Sequence, residues 1–135
     1  MGQQNHQISK AIEHLQANLS DIASVAEWAS LMGYDHPKKF TRFFLRHYQV
    51  RPKRMLDYVK LKSIIHQLRK GRYSNFVIAR QHGIPDEIVL NKFVKYHIGC
   101  SPTRVKNMAE EELKVVLEKF GSNIRQQKNQ VISGS

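Results

Sequence analysis

The stretch GYDHPKKFTRFFLRHYQVRP, residues 33–52, sets Lys38, Lys39, Arg42, Arg46 and Arg51 among Phe40, Phe43, Phe44 and Tyr48. A solvated helix has no use for the aromatics, and a buried helix has no use for the charges. Helical periodicity separates the two sets. Phe40, Phe43 and Phe44, with either His47 or Tyr48, share one stripe and are expected to pack inward. Lys38, Thr41, Arg42 and Leu45 recur at i, i+3, i+4, i+7 on the opposite face, flanked by Lys39 and Arg46, and are expected to project outward. Gly33 suits the left-handed end of a preceding helix. Asp35 or His36 can cap the new one, with Pro37 in its first turn, where a missing amide donor costs nothing.

Stripes of the same kind run through the rest of the chain. Ile8, Ala11, Ile12, Leu15 and Leu19 predict a first helix, and Ile22, Val25, Ala26, Ala29 and Met32 a second, capped by Ser20 or Asp21. Pro52 starts a fourth helix through Leu61, Ile64, Ile65 and Leu68 to Gly71. Ser74 or Asn75 caps a short fifth one with Ile78 and Ala79, stopped at Gly83. A sixth runs from about Pro85 through Leu90, Phe93, Val94 and His97 or Ile98, and Pro102 opens a seventh. Leu113, Val116, Leu117 and Phe120 continue the helical pattern, and the polar residues 123–135 read as a flexible tail. No alternating strand pattern is present, so the fold is expected to be all-α with about seven helices.

The chain also repeats itself. Shifted by fifty residues, Ala29 falls on Ala79, Gly33 on Gly83, Phe43 on Phe93, His47 on His97, Pro52 on Pro102 and Arg54 on Arg104, with Arg42 on Lys92. Each copy reads as a short helix, a glycine turn and a second helix, the helix-turn-helix unit. The outward set of copy two is Ile88, Asn91, Lys92 and Lys95, with Glu87 beside it. Residues 1–51 and 72–122 are therefore read as two helix-turn-helix subdomains joined by a long linker helix, 52–71.

Charge points to the partner. The 135 residues carry a net charge of +11, and residues 36–72 hold twelve Lys/Arg against one acid, Asp57. Such a concentration favours an anionic partner through steering and counterion release. A helix carrying these residues suits the DNA major groove: Arg pairs with guanine, Asn with adenine, Thr meets a thymine methyl, and Lys reaches a base or a phosphate. A linker of about 30 Å would set two such helices into successive major grooves, about 34 Å apart. Arg51, Lys53 and Arg54, at the start of the linker, are placed to touch phosphates.

The glycine-aromatic string and the Gly-to-Pro interval, nineteen residues in both copies, resemble the AraC/XylS family of bacterial transcription regulators. Gly33, Tyr34, Pro37, Phe40, Arg42, Phe44 and Pro52 carry the likeness in copy one. Gly83, Ile84, Asp86, Lys92, Gly99, Ser101 and Pro102 carry it in copy two, over about residues 8–108 in all. The resemblance implies a seven-helix module that binds promoter DNA and activates, less often represses, transcription by contact with RNA polymerase. It places the DNA-facing positions on Lys38, Lys39, Thr41 and Arg42, and on Glu87, Ile88, Val89, Asn91 and Lys92; spacing adds Arg46 and Lys95. Copy two departs with Ile84-Pro85 and Val94, and copy one has Gln49 where the family has glycine.

Other residues read as structural. Trp28 is expected to be a partly exposed cover, and His47 and His97 to share one packing role. The histidines lack metal-ligand spacing, the single Cys100 cannot form an internal disulfide, and no catalytic constellation is present. Glu110, Glu111 and Glu112 suit the start of a helix or a contact with another protein. No apolar run of membrane-spanning length and no signal peptide is found. The expectation is a bacterial cytoplasmic, nucleoid-associated non-enzyme without cofactor or metal, monomeric on DNA, either standing alone or as the DNA-binding portion of a longer regulator. The alternatives are a protein-interaction module and a non-specific nucleic-acid binder with a degenerate second copy.

Overall fold

A stop-and-start grammar of caps cuts the chain into helices. The computed structural model describes residues 7–133, with side chains as far as Gly121. It contains eight α-helices and, among the described residues, no strand. They are α1 (Ala11–Ala17), α2 (Val25–Leu31), α3 (Pro37–Tyr48), α4 (Pro52–Lys70), α5 (Asn75–Gln81), α6 (Glu87–Ile98), α7 (Pro102–Asn107) and α8 (Glu110–Ser133). The eighth arises because Met108 leaves the helical region after α7 and the chain restarts at the acidic run Glu110–Glu112. The backbone of α8 stays helical to Ser133, where the sequence suggested a tail from residue 123.

Capping side chains account for half of the eight helix starts. Ser74, Asp86 and Ser101 each accept a hydrogen bond from the amide three residues on, at Val77, Val89 and Arg104. Pro37, Pro52 and Pro102 occupy first turns. The start of α2 is displaced from the expected Ser20 or Asp21. Leu19–Asp21 forms a 3-10 turn, and Ser24 caps α2 through Glu27 N while Glu27 Oε1 accepts from Ala23 N at 2.7 Å. Two backbone amides at the helix start thus find side-chain acceptors, as in a capping box shifted by one residue to Ala23. His36 occupies the cap position of α3 without a capping hydrogen bond.

Two hydrophobic cores share the 19-residue α4. The first gathers Ala11, Leu15, Ile22, Trp28, Ala29, Met32, Phe40 and Phe44 around Leu56. Trp28 is fully buried here, correcting the expectation of a partly exposed cover. Its Nε1–H donates to Ala11 O at 3.0 Å, which satisfies the indole's one polar atom and removes the reason for a wet edge. Edge-on contacts with Phe40 at 5.2 Å and Phe44 at 5.0 Å complete the cluster. The second core takes Leu61, Ile64, Ile65 and Leu68 from α4 and packs them against Ile78, Ala79, Leu90, Val94, Val105, Leu113 and Phe120.

Two junctions fix copy two on copy one and on α4. Gly83 adopts φ +70°, and a Cβ there would lie 3.3 Å from the carbonyl oxygens of Leu19 and Ile22 and from Lys60 Nζ. Only glycine fits both the conformation and the space. At the far end of α4, Arg69 Nη1 donates to Val105 O and Met108 O at 2.9 and 2.8 Å, and Nη2 to Glu110 Oε1 at 3.3 Å. One guanidinium thus satisfies two carbonyls at the end of α7 and pairs with the Glu110 carboxylate at the start of α8.

Candidate nucleic-acid interface

The aromatic stripe of α3 buries Phe40 and Phe44 completely, and the hydrophobic seal of that stripe turns the opposite face to solvent. Lys38, Lys39, Arg42 and Arg46 are all exposed on it, while Thr41 and Leu45 are half-buried rather than fully outward. Phe43, expected inward, lies at the boundary between the faces. The Arg42 and Arg46 guanidinium carbons sit 5.8 and 5.7 Å from its ring centre. Both guanidinium groups are thus within cation–π range of one ring, a contact the stripe did not suggest. Tyr34 rests edge-on against Phe40 at 5.4 Å, closing the turn.

In α6 the expected outward residues Glu87, Ile88, Val89, Asn91, Lys92 and Lys95 are all exposed. The character of this face differs from that of α3. Ile88 is 65% exposed, Val89 39% and Tyr96 85%. Between α6 and the start of α4 lies an open cleft of about 630 Å³, lined by Val89, Lys92, Phe93 and Tyr96 on one side and Lys53 and Arg54 on the other. Arg51 and Lys53 are exposed and Arg54 is half-buried.

Polar groups lie beneath this cleft. Asp57, 8% exposed, accepts from Lys53 Nζ at 3.0 Å and faces His97 Nε2 at 3.6 Å. Burial lowers the His97 pKa; Asp57 opposes that, and Lys53 and Arg54 add to it. His97 packs inward among Phe93, Tyr96 and Phe120, whereas His47 is exposed and Tyr48 takes the inward place, its hydroxyl donating to Ile8 O at 2.9 Å. The expected common role of the two histidines is corrected: the units are equivalent in sequence, but only copy two has a carboxylate and α8 above its histidine. His82 is also buried. Since Ile78 O can only accept, Nδ1–H donates to it at 2.7 Å and Nε2 accepts from Ser63 Oγ at 2.7 Å. Burial lowers its pKa, the Ile78 carbonyl opposes this, and Lys60 adds to the lowering.

The acidic run at the start of α8 is partly engaged within the chain. Glu110 meets Arg69, and Glu112 Oε2 meets Arg104 Nη2 at 3.0 Å. Cys100 is a half-buried free thiol. Among the described residues, no group of three His, Cys, Asp or Glu lies together as a metal site, and no helix is long and apolar enough to cross a membrane. Comparisons with protein families, with curated proteins and with solved structures find no match to this chain.

Proposed function

We propose that this protein is a sequence-specific DNA-binding transcription regulator of the AraC/XylS type, with α3 and α6 entering successive major grooves of promoter DNA. The observation that carries the reading is the division of α3. Four cations stand exposed on the face opposite two fully buried phenylalanines, and two of them lie within cation–π range of Phe43. A cationic helix face presented by a helix-turn-helix unit has the shape and charge the major groove accepts.

In this reading Lys38, Lys39 and Arg46 supply phosphate and base contacts, Arg42 pairs with a guanine, and α6 adds Asn91 and Lys92. Lys53 and Arg54, across the cleft from α6, hold the sugar-phosphate chain between the two grooves. The partners are promoter duplex and RNA polymerase, the place is the bacterial cytoplasm at the nucleoid, and the protein binds as a monomer without catalysis.

The exposed Ile88, Val89 and Tyr96 favour a second reading, in which copy two is a protein-interaction surface. Titration of fluorescent duplexes across a salt series separates the readings. One duplex comes from the gene's own upstream region, and the other is its scrambled counterpart. A preference of about a thousandfold or more is expected for a regulator. Equal binding that collapses steeply with salt marks charge-driven association alone, and no binding marks the interaction module.

A further inference from the structure

The fifty-residue repeat pairs each outward position of α3 with one of α6, and the pairs are chemically unequal. Lys38, Lys39 and Arg46 correspond to Ile88, Val89 and Tyr96, while Arg42 keeps a cation in Lys92 and Thr41 becomes Asn91. These replacements are not internal. Ile88, Val89 and Tyr96 stand at 65%, 39% and 85% exposure. Exposed side chains of this kind, beside Lys92 and Lys95 and across a cleft from Lys53 and Arg54, form an apolar patch inside a positive field.

A partner for such a patch must be an anion that offers apolar groups. Among the groups that base pairs present in the major groove, the thymine C5-methyl is the apolar one, and phosphates flank it on both sides. Ile88 and Asn91 are one helical turn apart on the same face, so a side chain that meets a methyl sits beside one that pairs bidentately with adenine. A protein partner fits less well. Asn91 and Lys92 lie within the stripe and would both need desolvation at the centre of an interface where charges are depleted.

We propose that the two helices read chemically different half-sites: α3 a guanine-bearing one through its cations, and α6 an A·T-rich one through thymine methyls at Ile88 and Val89 and adenine at Asn91. Tyr96, in the cleft with Lys53 and Arg54, meets the sugar-phosphate chain. This assignment rests on the DNA-binding reading above and makes the operator asymmetric.

The test is selection of bound sequences by the intact chain from a random duplex library. Anisotropy titrations with deoxyuridine in place of thymidine, one half-site at a time, then follow. Uracil pairs as thymine does but lacks the methyl. Affinity should fall about fourfold for each contacted methyl removed from the A·T-rich half, and fall less for the same exchange in the guanine-bearing half, where only Thr41 can meet a methyl. Ile88→Ala should abolish part of that methyl sensitivity, and Ile88→Lys should shift the selected base at its position from thymine to guanine. Ile88 is exposed, so circular dichroism should be identical for all three proteins. Deoxyuridine without effect in either half, or Ile88→Ala binding as the parent does, would overturn the assignment and leave the DNA reading standing. A library from which no duplex is enriched would overturn both.

Discussion

His97 Nε2 lies 3.6 Å from Asp57 Oδ2, while His47, fifty residues earlier in the equivalent place, stands in solvent. Asp57 belongs to α4 and faces only copy two. A single carboxylate on the shared helix thus gives two matching histidines different environments. Together with His82, copy two holds two buried imidazoles whose pKa values lie below the ordinary 6.5.

Those imidazoles make stability depend on acidity. As the pH falls past about 6.5, both histidines of the unfolded chain take up protons, while burial delays uptake in the folded chain. The unfolded state then binds more protons, so acid favours unfolding. Urea midpoints should be lower at about pH 5.5 than at about pH 7.5, and His82→Gln should narrow the gap. A midpoint that rises on acidification would contradict this account.

Lys60 acts at the opposite end of the scale. It is 4% exposed, and burial pushes its pKa down to about 8 from 10.5, against the pull of Asp57. Below pH 8 the folded state carries the cost of a buried ammonium. Between 8 and 10.5 the unfolded chain holds the proton and the folded one has released it, so stability rises with pH across that window. Lys60→Met should add about 1–3 kcal/mol near neutral pH, because Asp57 keeps Lys53 and His97 as partners. The difference between variant and parent should shrink from about pH 8 to pH 10, read by thermal unfolding.

Gly83 and Gly99 separate conformation from space. Both have positive φ, +70° and +90°, but a Cβ at Gly99 meets nothing within 4 Å. Gly99→Ala should cost about 1 kcal/mol through the left-handed backbone alone. Gly83→Ala should cost about 2–4 kcal/mol, since it also presses on the Leu19 and Ile22 carbonyls. Equal losses in denaturant unfolding would mean that the close approach carries no energy.

On the proposed DNA face, Arg42→Ala should weaken binding to the selected site by about 1–3 kcal/mol and relax preference at one base pair. Lys39→Ala should weaken all sequences alike and reduce the slope of affinity against salt by about one. Equilibrium titration at several salt concentrations checks both. An Arg42→Ala protein with unchanged affinity would remove α3 from the groove.

The helices were readable in the sequence because their signals are local. The inward Phe40 and Phe44, the prolines at first turns, and the cap at Ser74 all act within one or two turns. The exposed cations of α3 followed from the same periodicity. What stayed hidden depends on contacts across the chain. Trp28 is buried because Ala11 O, seventeen residues away, accepts its indole proton. Phe43 pairs with two guanidinium groups only once the helix has formed. Ser20 and Asp21 have capping side chains too, and only the 3-10 turn at Leu19–Asp21 moves the helix start to Ser24. Lys60 and Arg69 looked like members of a basic run with Asp57 its lone acid, and only the packing of other helices against α4 gives the three their separate roles.

Because Leu56 belongs to the first core and Leu61, Ile64, Ile65 and Leu68 to the second, α4 cannot be assigned to either half. A fragment cut after residue 71 would keep the first core yet display four bare aliphatic side chains to water. A fragment starting there would lose the floor of its own core. The two halves are therefore inseparable in a mechanical sense: the chain should melt in one cooperative step, and either exposed face can vary only while their common beam stays intact.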